Sequence, residues 1–151
     1  MKLEFSGSPE IAAPRDLVWQ RLMDPHFVAQ SAPGVESVEV IDPNHFKVIS
    51  GFGVGSIKLR FTMDAELFDI VPNQSAKMRV RGKAPGSAVD VLSRLELQDG
   101  GPGKVRLNWS ATSEMSGTVA SVGARLLEGT ARKLTEQFWN DFAQRVSQDG
   151  H

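Results

Sequence analysis

Apolar and polar residues alternate through the middle of the chain. From about residue 35 to residue 117, apolar side chains tend to recur at every second position, which is the period of a β-strand. In residues 57–67, IKLRFTMDAEL, one face is apolar and every position of the other is polar or charged. Turn sequences such as residues 42–44 (DPN) and 99–103 (DGGPG) separate successive runs. The pattern predicts an antiparallel meander with one buried face and one solvated face.

Helical spacing replaces this alternation near the start of the chain. Residues 2–12 alternate loosely and predict a first strand. Pro14 suits the first turn of a helix, and the apolar positions within residues 17–23 recur at helical spacing. Residues 26–32 predict a second short helical piece. Two short helices are therefore expected between the first strand and the meander.

A long amphipathic helix is predicted at the end of the chain, from about Thr118 to Val146. Its second half has Leu134, Phe138 and Phe142 at intervals of four, and we expect this half to clamp the sheet. The first half is rich in glycine, alanine and serine, and we expect it to leave space beside the sheet.

These elements predict an α+β fold in which a curled antiparallel sheet of about seven strands surrounds the long C-terminal helix. The sheet must curl, and the helix must fill its concave side, because all the apolar faces have to be buried. A chain of 151 residues is the size of one domain, so we expect a single domain over residues 1–151.

Composition excludes several classes of function. With 17 basic and 18 acidic residues, the chain carries no excess of positive charge, and no nucleic-acid partner is expected. There is no cysteine, so thiolate chemistry and cysteine-ligated metals are excluded. The sequence has no stretch close to the ~20 apolar residues of a membrane span and no recognisable export signal. It therefore predicts a cytoplasmic protein without an integral membrane segment, and it leaves peripheral membrane contact open.

The predicted inward positions of the strands form an apolar set with a few hydroxyls. Such a lining suits a hydrophobic small molecule, because methionine is flexible and polarisable. The same residues could instead pack against one another as an ordinary core. The candidate ligand-binding residues are Phe46, Val48, Leu59, Phe61, Met63, Met78, Val80, Val91, Ser93, Trp109, Ser113 and Met115 on the strands, with Val119, Val122, Gly123 and Leu126 on the helix.

The inward face offers no titratable group for acid–base chemistry, and the chain has no tyrosine. The three histidines, His26, His45 and His151, fall in junctions or at the last position, and they are too dispersed to predict a metal site. We therefore expect no enzyme, no catalytic residue and no cofactor. Two alternatives remain: a cyclase or hydratase acting through a bound water near Ser93 and Ser113, or an assembly or targeting factor acting through its outer surface. The outer surface carries a basic stripe, which an ordinary solvated face explains equally well: Lys58, Arg60, Lys77, Arg79 and Arg81.

Several short segments together resemble one known family over almost the whole chain. They are residues 13–15 (APR) with 18–19 (VW), 32–36 (APGVE), 51–55 (GFGVG), Gly117 and 123–127 (GARLL). They resemble the CoxG family of carbon monoxide dehydrogenase subunits, within the START-like (SRPBCC) helix-grip superfamily. The resemblance implies a helix-grip fold and a non-enzymatic accessory protein. It further implies that a lipid or quinone-like molecule binds in the cavity and that the protein serves a molybdenum hydroxylase of the carbon monoxide dehydrogenase type.

Overall fold

The computed structural model describes residues 1–149 and confirms the predicted α+β architecture. His151 lies outside the described residues. Eight strands form one antiparallel sheet, and two short helices follow the first strands. The strands are β1 (Lys2–Gly7), β2 (Glu10–Ile11), β3 (Val35–Asp42), β4 (His45–Val54), β5 (Ile57–Val71), β6 (Ser75–Ala84), β7 (Ser87–Asp99) and β8 (Val105–Gly117). The helices are α1 (Arg15–Leu22), α2 (Pro25–Ser31) and the long α3 (Ala124–Asp149), which a 3-10 turn at Thr118–Val122 precedes.

The strand order is β1-β8-β7-β6-β5-β4-β3, and β2 also pairs with β8. From β3 to β8 the chain is the predicted meander, in which each strand pairs with the next. The first strand lies beside the last, with Leu3 opposite Ser113. Pairing between strands that are this distant in sequence brings the start of the chain next to the segment that leads into α3.

The long helix begins six residues later than the predicted start at Thr118, because two glycines interrupt the backbone. Gly117 has φ +81° and Gly123 has φ +99°, values that lie outside the right-handed helical region. Between them the chain forms only the 3-10 turn, and regular α-helix starts at Ala124. Position 117 also has no room for a side chain, since a Cβ there would lie 1.9 Å from the carbonyl oxygen of Gly86.

The buried apolar residues form three separate clusters. The clamp cluster joins β2, α1, α2, the end of β7 and the start of β8 to the C-terminal part of α3. The rim cluster joins β1, β4 and β5 to the 3-10 turn and the first turn of α3. The edge cluster lies between β4 and β5. The buried members of the clamp cluster are Ile11, Ala13, Val18, Leu22, Phe27, Leu97, Val105, Leu107, Phe142 and Val146. Those of the rim cluster are Leu3, Val54, Phe61, Val119 and Leu127. Those of the edge cluster are Phe46, Val48 and Ala65.

Arg145 holds the C-terminal part of α3 against α2. Its guanidinium donates hydrogen bonds to the carbonyl oxygen of Phe27 (2.9 Å), the hydroxyl of Ser31 (2.6 Å) and the side-chain oxygen of Gln30 (2.8 Å). It also lies 3.9 Å from the centroid of the Phe27 ring. The planar guanidinium suits this combination of stacking and several hydrogen bonds. Both ends of α3 are therefore fixed to the rest of the fold, one by the rim cluster and the other by the clamp cluster and Arg145.

Candidate functional site

The candidate site is the central part of the concave face of the sheet, between the three clusters. Strand register places Val80, Val91 and Ser113 in one row across β6, β7 and β8. The adjacent row contains Met78 and Ser93. Apart from Ser113, these side chains are only half-buried, although they face the inside of the fold. Apolar side chains in a filled core are almost fully buried, so the concave face has accessible space at its centre.

Helix α3 covers this space without filling it. Leu127 and Phe142 are buried, with exposed fractions of 2% and 0%, but no residue from 128 to 141 is fully buried. On the helix side between them, Ala131, Leu134 and Phe138 recur at helical spacing, and all three are half-buried. The helix is thus packed at its ends and open toward the sheet in its middle.

The structure divides all but two of the predicted ligand-binding residues into three groups. Phe46, Val48, Phe61 and Val119 are buried members of the edge and rim clusters. Leu59, Met63, Met115 and Val122 pack against those clusters from the inside and are half-buried. The remaining sheet residues lie in or beside the central space, where Met78 and Val80 also pack against the edge cluster. These residues are Met78, Val80, Val91, Ser93, Trp109 and Ser113.

Leu126 and Gly123 do not lie in the central space. The Leu126 side chain is 45% exposed, and Gly123 is exposed. Both line an open groove of about 680 Å³ along α3 that also includes Lys133. The Leu126 side chain lies beside Gly55 in the turn between β4 and β5. The break at Gly123 changes the phase of the helix, which is why a position expected to face inward is found at the rim.

Aromatic rings form the floor of the central space. Trp109 on β8 stacks on Trp139 of α3, with ring centroids 5.7 Å apart. Phe138 contacts Trp139 edge to face at 4.8 Å, and Phe142 continues the series at 5.7 Å. Nothing in the sequence indicates that Trp139 contacts Trp109. Helical spacing alone cannot show this pair, because the two residues lie on different elements.

Two hydroxyls interrupt the apolar surface near its centre. Ser93 donates a long hydrogen bond of 3.4 Å to the carbonyl oxygen of Met78. Ser113 is 5% exposed, and its Oγ has no hydrogen-bond partner within residues 1–149. Because Ser113 lies opposite Val91 and Ser93 lies opposite Ala111 on the same two strands, the two serines are diagonal neighbours.

Groups suited to acid–base or metal chemistry lie away from this surface. His45 contacts Asp64 on the outer side of the sheet, and His26 is exposed at the start of α2. Residues 1–149 contain no group of three or more histidines and carboxylates that could hold a metal ion. Within the same residues, none of the helices combines the length and apolar character needed to cross a bilayer.

The basic residues of the outer face do not form one patch. Lys58 and Arg60 lie opposite Gly53 and Gly51 at one end of β5, whereas Lys77, Arg79 and Arg81 of the stripe lie opposite Phe68, Glu66 and Asp64, farther along β5. Carboxylates neutralise most of them, as in the pairs Arg60–Glu36 (2.8 Å), Lys77–Asp69 (3.2 Å) and Arg79–Asp90 (4.0 Å). The structure therefore favours the interpretation of the stripe as an ordinary solvated face.

A curled antiparallel sheet around a long C-terminal helix, with two short helices after the first strands, defines a START-like helix-grip protein. Structures with this fold include a START superfamily protein from Mycobacterium smegmatis, with a TM-score of 0.72 and 13% identity, which covers 96% of this chain and 97% of that chain. The Zhui aromatase/cyclase from Streptomyces sp. R1128 has a TM-score of 0.73 and 17% identity over 98% of this chain and 95% of that chain.

The chain belongs to the CoxG family of carbon monoxide dehydrogenase subunits, whose model matches residues 7–147. A conserved protein from Geobacillus kaustophilus is similar over 99% of this chain and 98% of its own, with a TM-score of 0.89 and 26% identity. No curated protein sequence matches the chain significantly.

Proposed function

We propose that this protein holds a hydrophobic small molecule, such as a lipid or a quinone-like compound, between the concave face of the sheet and the middle of α3. The observation that carries the proposal is the incomplete burial of apolar side chains at the centre of the fold. Val91 is half-buried and, within the described residues, belongs to none of the three clusters, and Met78 and Val80 stay half-buried although they pack against the edge cluster. A ligand with an apolar body would cover this surface and gain roughly 25 cal/mol for each Å² removed from water.

The chemistry of the surface favours storage or transfer of a molecule over its conversion. The central rows of the sheet are apolar except for Ser93 and Ser113, and the histidines described in the structure lie elsewhere. General acid–base catalysis needs a titratable group within hydrogen-bond reach of the substrate. The similarity to the aromatase/cyclase, at 17% identity, is a similarity of fold and does not assign a catalytic role to any residue of this chain. The proposed role is therefore non-enzymatic.

The proposed partner is a molybdenum hydroxylase of the carbon monoxide dehydrogenase type, which the protein would serve as an accessory protein in the cytoplasm. Membership of the CoxG family supports the partner, because the family is described as a subunit of carbon monoxide dehydrogenase. The absence of cysteine fits a reducing compartment.

The ligand would enter at the rim, where three segments meet. The amide of Gly51 donates a 2.9 Å hydrogen bond to the carbonyl oxygen of Gly34, which joins the turn before β3 to β4. The exposed Leu126 at the start of α3 lies beside Gly55 in the next turn. An apolar, partly exposed rim would ease passage of an apolar molecule from a membrane or a partner protein.

The test uses two neighbouring residues of β7 that lie on opposite faces of the sheet. Val91 faces the central space, and Leu92 is 42% exposed on the outer face. Val91→Phe should strongly weaken uptake of the fluorescent hydrocarbon diphenylhexatriene, because the larger ring would occupy the space that the probe needs. Leu92→Phe adds a ring of the same kind outside and should leave uptake unchanged.

Native mass spectrometry of gently purified protein gives an independent measurement. Wild type and Leu92→Phe should carry a co-purified hydrophobic molecule, and Val91→Phe should be depleted of it. If wild type binds no hydrocarbon probe and its native spectra contain only the bare polypeptide, the proposed function is wrong. Equal uptake by the Val91→Phe and Leu92→Phe variants would place the ligand elsewhere on the molecule.

A further inference from the structure

We infer that Ser113 donates a hydrogen bond to the bound molecule, so that the site prefers an amphiphile with a carbonyl or similar acceptor oxygen over a pure hydrocarbon. This inference rests on the proposed function, because it assigns the polar contact made by a ligand in the central space.

The hydroxyl of Ser113 is buried without a partner. Its Oγ exposes less than 1 Å² and makes no hydrogen bond to any residue from 1 to 149. Leaving a buried hydroxyl unsatisfied is unfavourable, and native proteins keep few such groups. The unsatisfied hydroxyl is therefore a feature that the fold alone does not explain.

Two other buried serines, Ser31 and Ser87, differ from Ser113. Ser31 is 5% exposed and accepts a hydrogen bond from Arg145 at 2.6 Å. Ser87 is 8% exposed and accepts one from the amide of Val119 at 2.9 Å. Both hydroxyls have a structural function in joining two elements. Within residues 1–149, the Ser113 hydroxyl makes no such connection.

The position of Ser113 links it to the central space. Register places it opposite the half-buried Val91, in the middle of β8. The half-buried Ala111 and Met115 lie on the same face of β8, two residues away on either side. A serine hydroxyl rotates between staggered positions, and the flexible Met115 side chain can move to admit a ligand atom. An acceptor oxygen on the ligand would then satisfy the Ser113 hydroxyl in a dry environment.

The direct test compares two hydrophobic fluorescent probes, only one of which has an acceptor oxygen. Laurdan has a naphthalene ketone on a dodecanoyl chain, whereas diphenylhexatriene has no acceptor oxygen. Ser113→Ala should weaken laurdan binding roughly three- to ten-fold, which corresponds to one net hydrogen bond. Binding of diphenylhexatriene should stay the same. The emission of bound laurdan should shift to the blue in this variant, because the ketone loses its hydrogen bond.

Two further variants and one stability measurement complete the test. Ser113→Thr keeps the hydroxyl and should retain the laurdan preference, and Ser110→Ala should retain it too, because Ser110 is exposed on the opposite face of β8. In the ligand-free protein, Ser113→Ala should raise Tm by about 2–8 °C, because an unsatisfied buried hydroxyl is removed. A merely structural serine would lower Tm when replaced.

The inference is overturned if Ser113→Ala binds laurdan within two-fold of wild type with unchanged emission, or if this variant is less stable than wild type without ligand. Either result is compatible with a hydrophobic ligand held by apolar contacts alone. Failure of the proposed function looks different, since wild type would then bind neither probe.

Discussion

Two leucines on α3 allow the accessible space to be tested by stability alone. Leu127 is 2% exposed and belongs to the rim cluster, together with Phe61 and Val119 at 1% and 0%. Leu134 lies two turns farther along the helix, is half-buried and, within the described residues, belongs to none of the three clusters. The same substitution, leucine to alanine, is available at both positions.

The expected losses differ because only one substitution creates a new cavity. Leu127→Ala removes methyl groups from a site enclosed by strands and the 3-10 turn, so we expect a loss of about 3 kcal/mol in the free energy of unfolding. Leu134→Ala enlarges a space that is already accessible, so we expect a loss of about 1 kcal/mol or less. The small difference in helix propensity between leucine and alanine applies to both positions and cancels in the comparison.

Urea unfolding at equilibrium measures the difference. With an m-value of about 2 kcal/mol per M, the midpoint should fall by about 1.5 M for Leu127→Ala and by about 0.5 M or less for Leu134→Ala. Both proteins should first be stripped of bound lipid by solvent extraction, because a ligand packed against Leu134 would raise the cost of its removal. Equal losses of about 2.5 kcal/mol or more at both positions, the cost of emptying a filled core site, would refute the argument that the middle of α3 is unfilled.

Two other matched pairs test the elements that position the site. Gly117→Ala should destabilise the protein strongly, because its Cβ would lie 1.9 Å from the carbonyl oxygen of Gly86. Gly129→Ala meets nothing within 4 Å and should stabilise α3 by up to ~1 kcal/mol. Thermal unfolding measures both effects, and equal changes in Tm would contradict this explanation. Arg145→Ala should lower the free energy of unfolding by about 2 kcal/mol, because its hydrogen bonds to α2 are lost. Arg132→Ala, which removes a surface ion pair, should lower it by less than about 0.5 kcal/mol in the same urea assay. A loss below about 0.5 kcal/mol for Arg145→Ala would show that the Arg145 contacts are not stabilising.

Much of the fold follows from the sequence because periodicity is a local property. Alternation over residues 57–67 predicts which side chains of β5 face inward, and the structure places Phe61 and Ala65 of this segment in buried clusters. The pairing of β1 with β8 is not local, since it joins Leu3 to Ser113. Alternation specifies the faces of a strand but not its neighbour, so this contact required the structure.

The sequence-based prediction misplaces the start of α3 for a specific reason. Gly123 is compatible with a helix interior and also with the positive φ that ends one, and apolar spacing does not distinguish the two. Counting an unbroken helix from Thr118 places Leu126 on the inner side, but the α-helix begins at Ala124. The unsatisfied hydroxyl of Ser113 could not be predicted from the sequence, for a different reason. Its position on the inner face follows from alternation, while its lack of a partner depends on every neighbour.

The division of α3 into packed ends and an open middle implies that stability and ligand binding can be changed separately. Phe142 and Leu127 hold the helix through the clamp and rim clusters, so substitutions there should reduce stability first. Leu134 and Val91 are half-buried between these ends, where the empty protein gains little from tight packing and the proposed ligand would supply the missing contacts. Ligand binding to the folded state alone must then raise stability, by about 2.7 kcal/mol at a concentration of 100 Kd. That increase should persist in Gly129→Ala, which lies outside the space, and it should disappear in Val91→Phe, which fills it.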